Sequence, residues 1–217
     1  MTKSTRHTLY GSRGSGSAAV EIALARCGVP FRIVRASSWE PDSALGELAK
    51  VNPLLQVPTL VLPGGTVLSE SAAILIHLGL AHPRSGLLPR DASARAKAIR
   101  GLVFIAANCY SALGINDHPD RWTTATSKAA REQVRQGARR RPHRNWEIFA
   151  DMFDGRPYLG GKSPGALDIL AAVVSKWAGT RAHLAESRPR FFATIGRIEA
   201  HESVAPVFHK HWGLGVA

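Results

Sequence analysis

The sequence predicts a small α/β domain followed by an all-helical domain. Over the first 80 residues, short strand-like runs alternate with segments of helical periodicity. A stretch at 82–89 then has the proline and glycine content of a linker, and the periodic segments after it are helical. A chain of 217 residues is long enough for two small domains. We therefore place the domains at 1–81 and 92–217, joined by a linker at 82–91.

The N-terminal segments follow the order β-α-β-α-β-β-α. The first helix has apolar residues at helical spacing and ends at Gly28, whereas 31–35 alternates apolar and basic residues like a strand. Asn52-Pro53 ends the second helix, and Gly64-Gly65 forms a hairpin turn whose two strands should pair antiparallel. The predicted strands cover 8–10, 31–35, 57–62 and 67–68, and the predicted helices cover 18–27, 43–51 and 72–80.

Helical periodicity dominates the chain after the linker. A broad apolar stripe predicts a helix at 92–109, and the almost entirely apolar segment 166–177 should be the central core helix. The basic amphipathic stretch 127–153 contains Pro142, which predicts either a kink or a pair of helices there. Pro189 opens the last predicted helix, at 190–200.

The net charge of +12 comes mainly from the second half of the chain. Residues 1–89 carry eight basic and five acidic side chains, whereas residues 90–217 carry twenty and eleven. The densest cluster, five arginines between 135 and 144, has no interleaved aromatic residues and no nucleic-acid motif. A solvated helix face explains it better. We expect no nucleic-acid partner, although the charge favours anionic ligands in general.

The remaining composition indicates a cytoplasmic protein without a membrane anchor. With Cys27 and Cys109 as its two cysteines, a disulfide scaffold is excluded. We expect no apolar run near the roughly 20 residues of a membrane span, and the turn at 11–16 follows too soon for a signal peptide. The nine histidines include no His-Glu-x-x-His motif and one close pair, His209 and His211, so we expect no metal.

Four segments of the chain resemble the cytosolic glutathione transferase superfamily. They occur in the family's order and spacing and extend over nearly the whole chain. They are the glycine- and serine-rich loop 9–17, the Asn-Pro-x-x-x-Val-Pro-x-Leu segment 52–60, the Leu-Ser-Glu-Ser-Ala-Ala-Ile segment 68–74, and Gly160-Gly161 to Asp168-Ile169. The resemblance implies a thioredoxin-like domain that binds glutathione, an all-α C-terminal domain and a role in detoxification.

The loop after the first strand supplies the candidate catalytic hydroxyls. The N-terminus of a helix favours an anion such as a thiolate, and a hydroxyl that donates to sulfur stabilises it further. The resemblance places Ser15 where serine-type members carry this hydroxyl. It places Gly16 where cysteine-type members carry cysteine, which argues against mixed-disulfide chemistry. Ser12, Ser17 and Tyr10 are alternative donors, and the serines also suit a plain helix cap.

The resemblance also implies the glutathione-binding residues. In this fold the bond Val57-Pro58 is cis and exposes backbone groups of Val57 to the cysteinyl part of glutathione. Ser71 at a helix N-terminus would take the γ-glutamyl carboxylate and Glu70 its ammonium, although the two also suit a capping pair. The candidate set is Gln56, Val57, Pro58, Glu70, Ser71 and Arg13.

Two positions depart from the family pattern. Many members hold the glycine carboxylate with lysine or histidine near the positions of Leu54 and Leu55, and the substitutes here would be Arg13, Arg35 or Trp39. The helix-start pattern Ser/Thr-x-x-Asp has Gly165 in its first position. Because glycine is a tolerable N-cap, Asp168 should be a structural carboxylate and not a catalytic one.

The acceptor site should lie between the domains, beside the sulfur. Family analogy assigns it to the end of the first long helix of the second domain, with Trp122 and Trp177 as weaker candidates. Aromatic residues at helical spacing also suit a core. The candidates on that helix are Asn108, Cys109, Tyr110 and Leu113.

The resulting prediction is a glutathione transferase that activates the thiol as a thiolate and directs it at an electrophilic, largely apolar co-substrate. The alternative is a non-catalytic ligand carrier or protein adaptor of the same fold, which Leu54 and Leu55 favour. We also expect a two-fold homodimer, because the helices at 72–80 and 92–109 carry more apolar surface than one small sheet covers. Burial between the two domains of one chain is the competing explanation.

Overall fold

The computed structural model of the chain describes residues 5–40, 42–155 and 157–213. Its sheet consists of β1 (His7–Gly11), β2 (Phe31–Arg35), β3 (Thr59–Val61) and β4 (Val67–Leu68), in the order β2-β1-β3-β4. β1 runs parallel to β2 and antiparallel to β3, and β4 pairs antiparallel with β3. The predicted hairpin at Gly64-Gly65 is therefore confirmed.

Three helices cover the sheet, and the predicted order of the N-terminal elements is confirmed. They are α1 (Ser17–Cys27), α2 (Leu45–Val51) and α3 (Ser71–Ala81). Successive strand residues point to opposite faces, so Leu9 joins the core of α1 and α3 whereas Tyr10 packs with Ala36 and Leu48 on the α2 side. The main core thus lies between the sheet and the helical part of the chain.

The described chain after β4 is helical, which confirms the all-α second part. A 3-10 turn at Pro83–Ser85 leads into α4 (Ala92–Phe104), a π-helical segment (Ile105–Tyr110) and α5 (Ser111–Asp117). After a second 3-10 turn at Pro119–Trp122 come α6 (Lys128–Met152), α7 (Ala166–Val174), α8 (Thr180–Ser187), α9 (Pro189–Ala200) and α10 (Ala205–Trp212). The domain boundaries at 81/82 and 91/92 stay predictions.

Helix α6 runs through Pro142 without a break, so a pair of helices at this point is wrong. Proline removes one backbone hydrogen bond from a helix interior. Here the ring of Pro142 is buried, and the following turns bury Trp146 and Phe149 in the main core. Tertiary packing of this kind supplies most of a helix's stability and outweighs the local loss.

The first long helix extends beyond its predicted end at 109, to Asp117, through the π-helical segment. Its 26 residues, with a mean hydropathy of 1.5 in the most apolar window, meet the length and composition of a membrane span, as core helices also do. The expectation that no apolar segment approaches 20 residues is therefore wrong. One face of this helix packs on α6 and α7 through Leu102, Ile105 and Cys109.

The central core helix is shorter than predicted. α7 is buried along its whole length but ends at Val174 and not at Trp177. Ala178 and Gly179 both have positive φ (57° and 68°), which turns the chain into α8. The polar residues Ser175 and Lys176 lie in this turn, whereas the prediction included them in the helix.

Arg26 joins the N-terminal helices to the linker and to the loop before α7. Its guanidinium donates hydrogen bonds to the carbonyl oxygens of Pro164 and Ser85, the latter at 3.0 Å. Beside it, the Ala166 N–H donates to Leu87 O at 2.7 Å. These bonds fix the start of α7 against α1.

Asp168 has the predicted structural role at the start of α7. It is fully buried, and its carboxylate accepts from the Leu159 N–H at 2.7 Å and from the Gly165 N–H at 2.9 Å. Burial raises the pKa of Asp168 to about 6, although these backbone hydrogen bonds lower it in part. The carboxylate thus satisfies the N–H of the N-cap residue Gly165 and the N–H of Leu159 in the loop before the helix.

We expect Asp168→Ala to lower the free energy of unfolding by about 3 kcal/mol, because two backbone donors lose their acceptor in a buried site. Chemical denaturation of the purified protein measures this. The exposed Asp154→Ala should change stability by less than about 0.5 kcal/mol. Equal effects of the two substitutions would contradict the structural role.

Candidate functional site

The loop that leads into α1 is held together by its own serine hydroxyls. Ser15 Oγ donates to Ser12 O at 2.8 Å and lies 2.8 Å from Ser17 Oγ, which itself donates to Ser12 O at 3.1 Å. The Ser17 N–H donates to Ser15 Oγ at 3.2 Å. All three serines are buried. These contacts fix the shape of the loop, and the catalytic role of Ser12, Ser15 or Ser17 stays a prediction.

Ser12 also ties the loop to the connection after β2. Its hydroxyl donates to Glu40 Oε1 at 2.6 Å, and Arg35 contacts Glu40 Oε2 at 3.3 Å. The hydrogen bond from Ser12, with Arg35 adding to it, lowers the pKa of Glu40. Arg35, a candidate for the glycine carboxylate, is thus paired with Glu40, while Trp39 beside it is largely exposed.

The C-terminal helix α10 closes over the same loop. His211 Nδ1 accepts from the Gly14 N–H at 3.1 Å, and His211 Nε2 lies 3.0 Å from Glu21 Oε2. Lys210 Nζ reaches Glu21 Oε1 at 2.6 Å, and the exposed Arg13 donates to His211 O at 3.4 Å. Because Nδ1 accepts, Nε2 carries the proton that is donated to Glu21.

Glu21 is a buried carboxylate in the second turn of α1. Burial raises its pKa, but the hydrogen bonds from His211 and Lys210 outweigh that effect, and the pKa of Glu21 is lowered overall. Its charge is thus balanced by α10. Across the residues that the structure describes, no group of three His, Cys, Asp or Glu side chains is placed to hold a metal.

The hydroxyl of Tyr110 reaches the N-terminus of α1 from the π-helical segment. A Cβ placed on Gly16 would overlap this hydroxyl and would lie 3.4 Å from Ser71 Oγ. The Gly16 N–H hydrogen-bonds to the hydroxyl, but burial and the nearby Glu70 charge raise the pKa of Tyr110 to about 12. The ring stacks on Trp177 with centroids 5.6 Å apart. Tyr110, predicted on the acceptor side, therefore lies at the start of α1.

The N-terminus of α3 faces the same point and has no side-chain cap. Ser71 is 5% exposed, and its Oγ has no hydrogen-bond partner within the described ranges. Glu70 before it is exposed and has a φ of 66°, which is uncommon for a residue other than glycine. An uncapped helix N-terminus offers free N–H groups and a partial positive charge to an anion.

The segment before β3 contains the next candidate residues. The Val57-Pro58 bond is cis, as the resemblance implies. Asn52 Nδ2 donates to Thr59 Oγ1 at 2.8 Å and to Gln56 O at 3.2 Å, which fixes the turn from the end of α2 into β3. Leu54 and Leu55 protrude from it, 66% and 39% exposed.

Most of the other residues predicted for the co-substrate site contact neighbouring residues of the fold. Cys109 is buried, and burial raises its pKa to about 12. Asn108 donates to Phe104 O and accepts at its carbonyl from Asn145 Nδ2 at 2.6 Å, while Leu113 packs on the main core. Trp122 is largely exposed. Tyr10, on the α2 side of the sheet, is not brought together with the start of α1.

Two features of the site were not predicted from the sequence. The first is the contact of Tyr110 with Gly16, and the second is the cluster of α10 with Glu21 and Gly14. The pair His209 and His211 was noted in the sequence only as a possible metal signal. No local pattern gives contacts between segments that lie 197 residues apart, as Gly14 and His211 do.

Comparison with known proteins agrees with this fold. The family model for the "Glutathione S-transferase, N-terminal domain" matches residues 17–80. The uncharacterized GST-like protein YncG of Escherichia coli K12 is 29% identical over 171 residues, which are 78% of this chain and 80% of YncG.

Two solved structures extend the similarity over the whole fold. A glutathione transferase homolog from Sulfitobacter with bound glutathione superposes with a TM-score of 0.81 at 24% identity, covering 95% of this chain and 98% of the other. A sphingomonad glutathione S-transferase complexed with glutathione gives 0.74 at 26% identity, covering 96% and 100%. The thioredoxin-like sheet with its helical second part thus has the architecture of these enzymes. The family match over residues 17–80 and these structures support the resemblance to the cytosolic glutathione transferase superfamily.

The contacts of Glu21 predict a pH-dependent attachment of α10. Glu21→Gln should lower the free energy of unfolding at pH 7 by about 2 kcal/mol, because a buried, charge-assisted pair is lost. The folded pKa of Glu21 lies below the ordinary 4.5, so its contribution is fully present above that value and is lost as the pH falls through the lower, folded pKa. The difference between wild type and variant should therefore shrink in acid.

Denaturation curves of both proteins between pH 3 and pH 7 measure this difference. Glu186→Gln on the exposed face of α8 is the matched control and should change stability by less than about 0.5 kcal/mol. A difference that stays constant with pH would show that the Glu21 charge does not hold α10.

Proposed function

We propose that the protein is a glutathione transferase that binds glutathione between the N-termini of α1 and α3. It activates the thiol as a thiolate and directs it at an electrophilic carbon of a largely apolar co-substrate. Two related structures contain bound glutathione, which supports glutathione as the co-substrate here. We further propose that the chain acts in the cytoplasm and needs no metal.

The single observation that carries this proposal is the unpartnered hydroxyl of Ser71. Ser71 is 5% exposed and lies at an uncapped helix N-terminus. Its Oγ is 3.4 Å from the position that a Cβ on Gly16 would occupy. A buried hydroxyl without a partner costs stability, so a ligand that accepts from it is the expected compensation. The γ-glutamyl carboxylate suits both this hydroxyl and the free N–H groups of α3.

The neighbouring groups suit the rest of the tripeptide. The carboxylate of Glu70 would accept from the γ-glutamyl ammonium, and the backbone of Val57 beside Pro58 would pair with the cysteinyl part. Such a pose directs the sulfur towards the start of α1, where the helix dipole stabilises negative charge. Gln56 and Arg13, which are both exposed, complete the proposed binding set.

The chemistry then requires little beyond the thiolate. The thiol releases its proton to solvent, the sulfur forms a bond to the electrophilic carbon, and the leaving group departs with its bonding electron pair. Lowering the thiol pKa by about two units from its usual value of ~8.5 corresponds to roughly 2.7 kcal/mol of selective thiolate stabilisation. A helix N-terminus and one hydroxyl donor together supply free energies of this size.

A carrier or adaptor function is the second candidate, favoured by Leu54 and Leu55. These exposed leucines occupy positions where many family members hold the glycine carboxylate with a cation. Calorimetric titration separates the two functions, because the transferase must bind glutathione. Absence of binding at millimolar glutathione would favour the carrier.

We expect Ser71→Ala to weaken glutathione binding about 10- to 100-fold, because a hydrogen bond to a charged group is lost. Its free energy of unfolding should stay unchanged or rise, since the removed hydroxyl has no partner among the described residues. Ser93→Ala on the exposed face of α4 is the control for both measurements.

Turnover is then measured on aryl halides, epoxides and peroxides, with and without glutathione. The proposed transferase should act on at least one class only when glutathione is present, and more weakly in Ser71→Ala. Full glutathione affinity in Ser71→Ala would contradict the proposed pose. Binding without turnover would favour the carrier.

We also propose a homodimer through α3 and α4. α3 leaves Leu80 55% exposed and α4 leaves Val103 51% exposed, although both helices bury their other faces within the chain. Burial of these side chains against a second copy would remove apolar surface from water. The charge of +12 per copy opposes association, and salt screens this repulsion beyond ~8 Å at physiological strength.

Sedimentation at micromolar protein should give a species of twice the 23.3 kDa chain mass that persists at high salt. Val103→Lys should shift it towards the monomer, whereas Phe192→Lys on α9 should not. A wild-type species of single-chain mass at high salt, where the repulsion is screened, would refute the dimer.

A further inference from the structure

We propose that the hydroxyl of Tyr110, and not a serine of the 12–17 loop, donates the hydrogen bond that stabilises the glutathione thiolate. This inference rests on the proposed glutathione site and names its catalytic donor. Tyr110 is far from the loop in sequence, and its hydroxyl reaches the loop through the fold alone.

The placement of the hydroxyl is fixed from two sides. Tyr110 ends the π-helical segment Ile105–Tyr110, and its ring lies nearly parallel to that of Trp177, at 10° with centroids 5.6 Å apart. Its hydroxyl occupies the space that a side chain on Gly16 would need. π-Helical turns occur frequently at functional sites, where they displace one side chain from the regular helical path. The segment thus presents a rigid hydroxyl to the first turn of α1.

The Tyr110 hydroxyl has its hydrogen available to donate in a hydrogen bond. It accepts a hydrogen bond from the Gly16 N–H, so one lone pair is used and the proton remains for an acceptor. Donation into the oxygen also polarises the O–H bond and strengthens the bond that it donates. Burial raises the pKa of Tyr110 to about 12, so the proton stays on the oxygen at neutral pH.

The serine hydroxyls of the loop are directed elsewhere. Ser15 Oγ and Ser17 Oγ both donate to Ser12 O, at 2.8 and 3.1 Å, and Ser12 Oγ donates to Glu40. Donation to sulfur by any of them would break an existing hydrogen bond in a buried loop, which costs free energy. Tyr110 can donate to sulfur without breaking any hydrogen bond among the described contacts.

The charge that faces Tyr110 is the carboxylate of Glu70, which raises the pKa of the hydroxyl. The same negative charge would oppose a thiolate beside it. In the proposed pose, the γ-glutamyl ammonium pairs with Glu70 and removes this opposition when glutathione binds. In the reaction the thiol proton goes to solvent, and Tyr110 keeps its own proton while it donates to sulfur.

The test compares Tyr110→Phe and Ser15→Ala with wild type, using the ultraviolet absorbance of the bound thiolate to titrate glutathione on the protein. In Tyr110→Phe, which keeps the ring that stacks on Trp177, the thiol pKa should rise by about 1–2 units. The kcat/KM at neutral pH should fall about 10- to 100-fold and recover towards alkaline pH. Affinity for S-methylglutathione, which has no thiol, should not change.

Tyr158→Phe is the matched control. Tyr158 packs edge-on against His201 in the second part of the chain, and loss of its hydroxyl should change neither the thiol pKa nor kcat/KM. Ser15→Ala should produce a smaller shift of the thiol pKa than Tyr110→Phe. A crystal structure of the wild-type glutathione complex, independent of any variant's folding, should place Tyr110 Oη within about 3.5 Å of sulfur.

The results that would contradict the inference can be told apart from those that would contradict the proposed function. An unchanged thiol pKa in Tyr110→Phe, or a larger shift in Ser15→Ala, would overturn the inference while the proposed function stands. Equal loss of affinity for glutathione and S-methylglutathione would assign Tyr110 to the γ-glutamyl end, and would also overturn it. Absence of glutathione binding to wild type would instead remove the proposed function, and the inference with it.

Discussion

The all-round burial of helix α1 is the constraint on which the rest of the structure depends. Its residues from Ser17 to Leu24 are all buried, because β1, α3, α7 and α10 each pack against the helix. Such burial is possible since many of the side chains are small, notably Ala18, Ala19 and Ala23. A helix enclosed in this way cannot shift along its axis without disturbing both halves of the chain. The geometry of its first turn is therefore preset.

The electrostatics of this turn follow from the same burial. Glu21 places a negative charge one turn inside the helix, and α10 balances it with Lys210 and a hydrogen bond from His211. Glu21 therefore does not cancel the positive end of the helix dipole, although the Gly16 and Ser17 N–H groups there already bond to Tyr110 and Ser15. The uncapped start of α3 adds a second positive end at the same place. In the proposed site, the free N–H groups of α3 and the dipole of α1 would hold an anion without a cation such as the lysine or histidine that many family members carry.

The sequence predicts local features well and contacts between distant segments poorly. Gly64-Gly65 predicts its hairpin because turn chemistry is local, and the flanking Asn-Pro and Val-Pro pattern implies the cis bond at Pro58 by resemblance. The position of Tyr110 was not predictable, since a π-helical turn and an α-helix have the same apolar pattern over six residues. The pairing of His211 with Gly14 likewise depends on how α10 returns to the first loop.

The absence of a side chain at Gly16 also bears on oxidation. A cysteine at this position, where the resemblance places that of cysteine-type members, would be a protein thiol open to oxidation by peroxides to sulfenic acid and beyond. This chain has two cysteines, and burial raises the pKa of both Cys27 and Cys109, which keeps them as thiols of low reactivity. The reactive sulfur in the proposed chemistry therefore arrives with glutathione and leaves with the product. Each turnover supplies a new glutathione thiol. Oxidation of the reactive sulfur therefore damages glutathione, which is replaced, and not the protein.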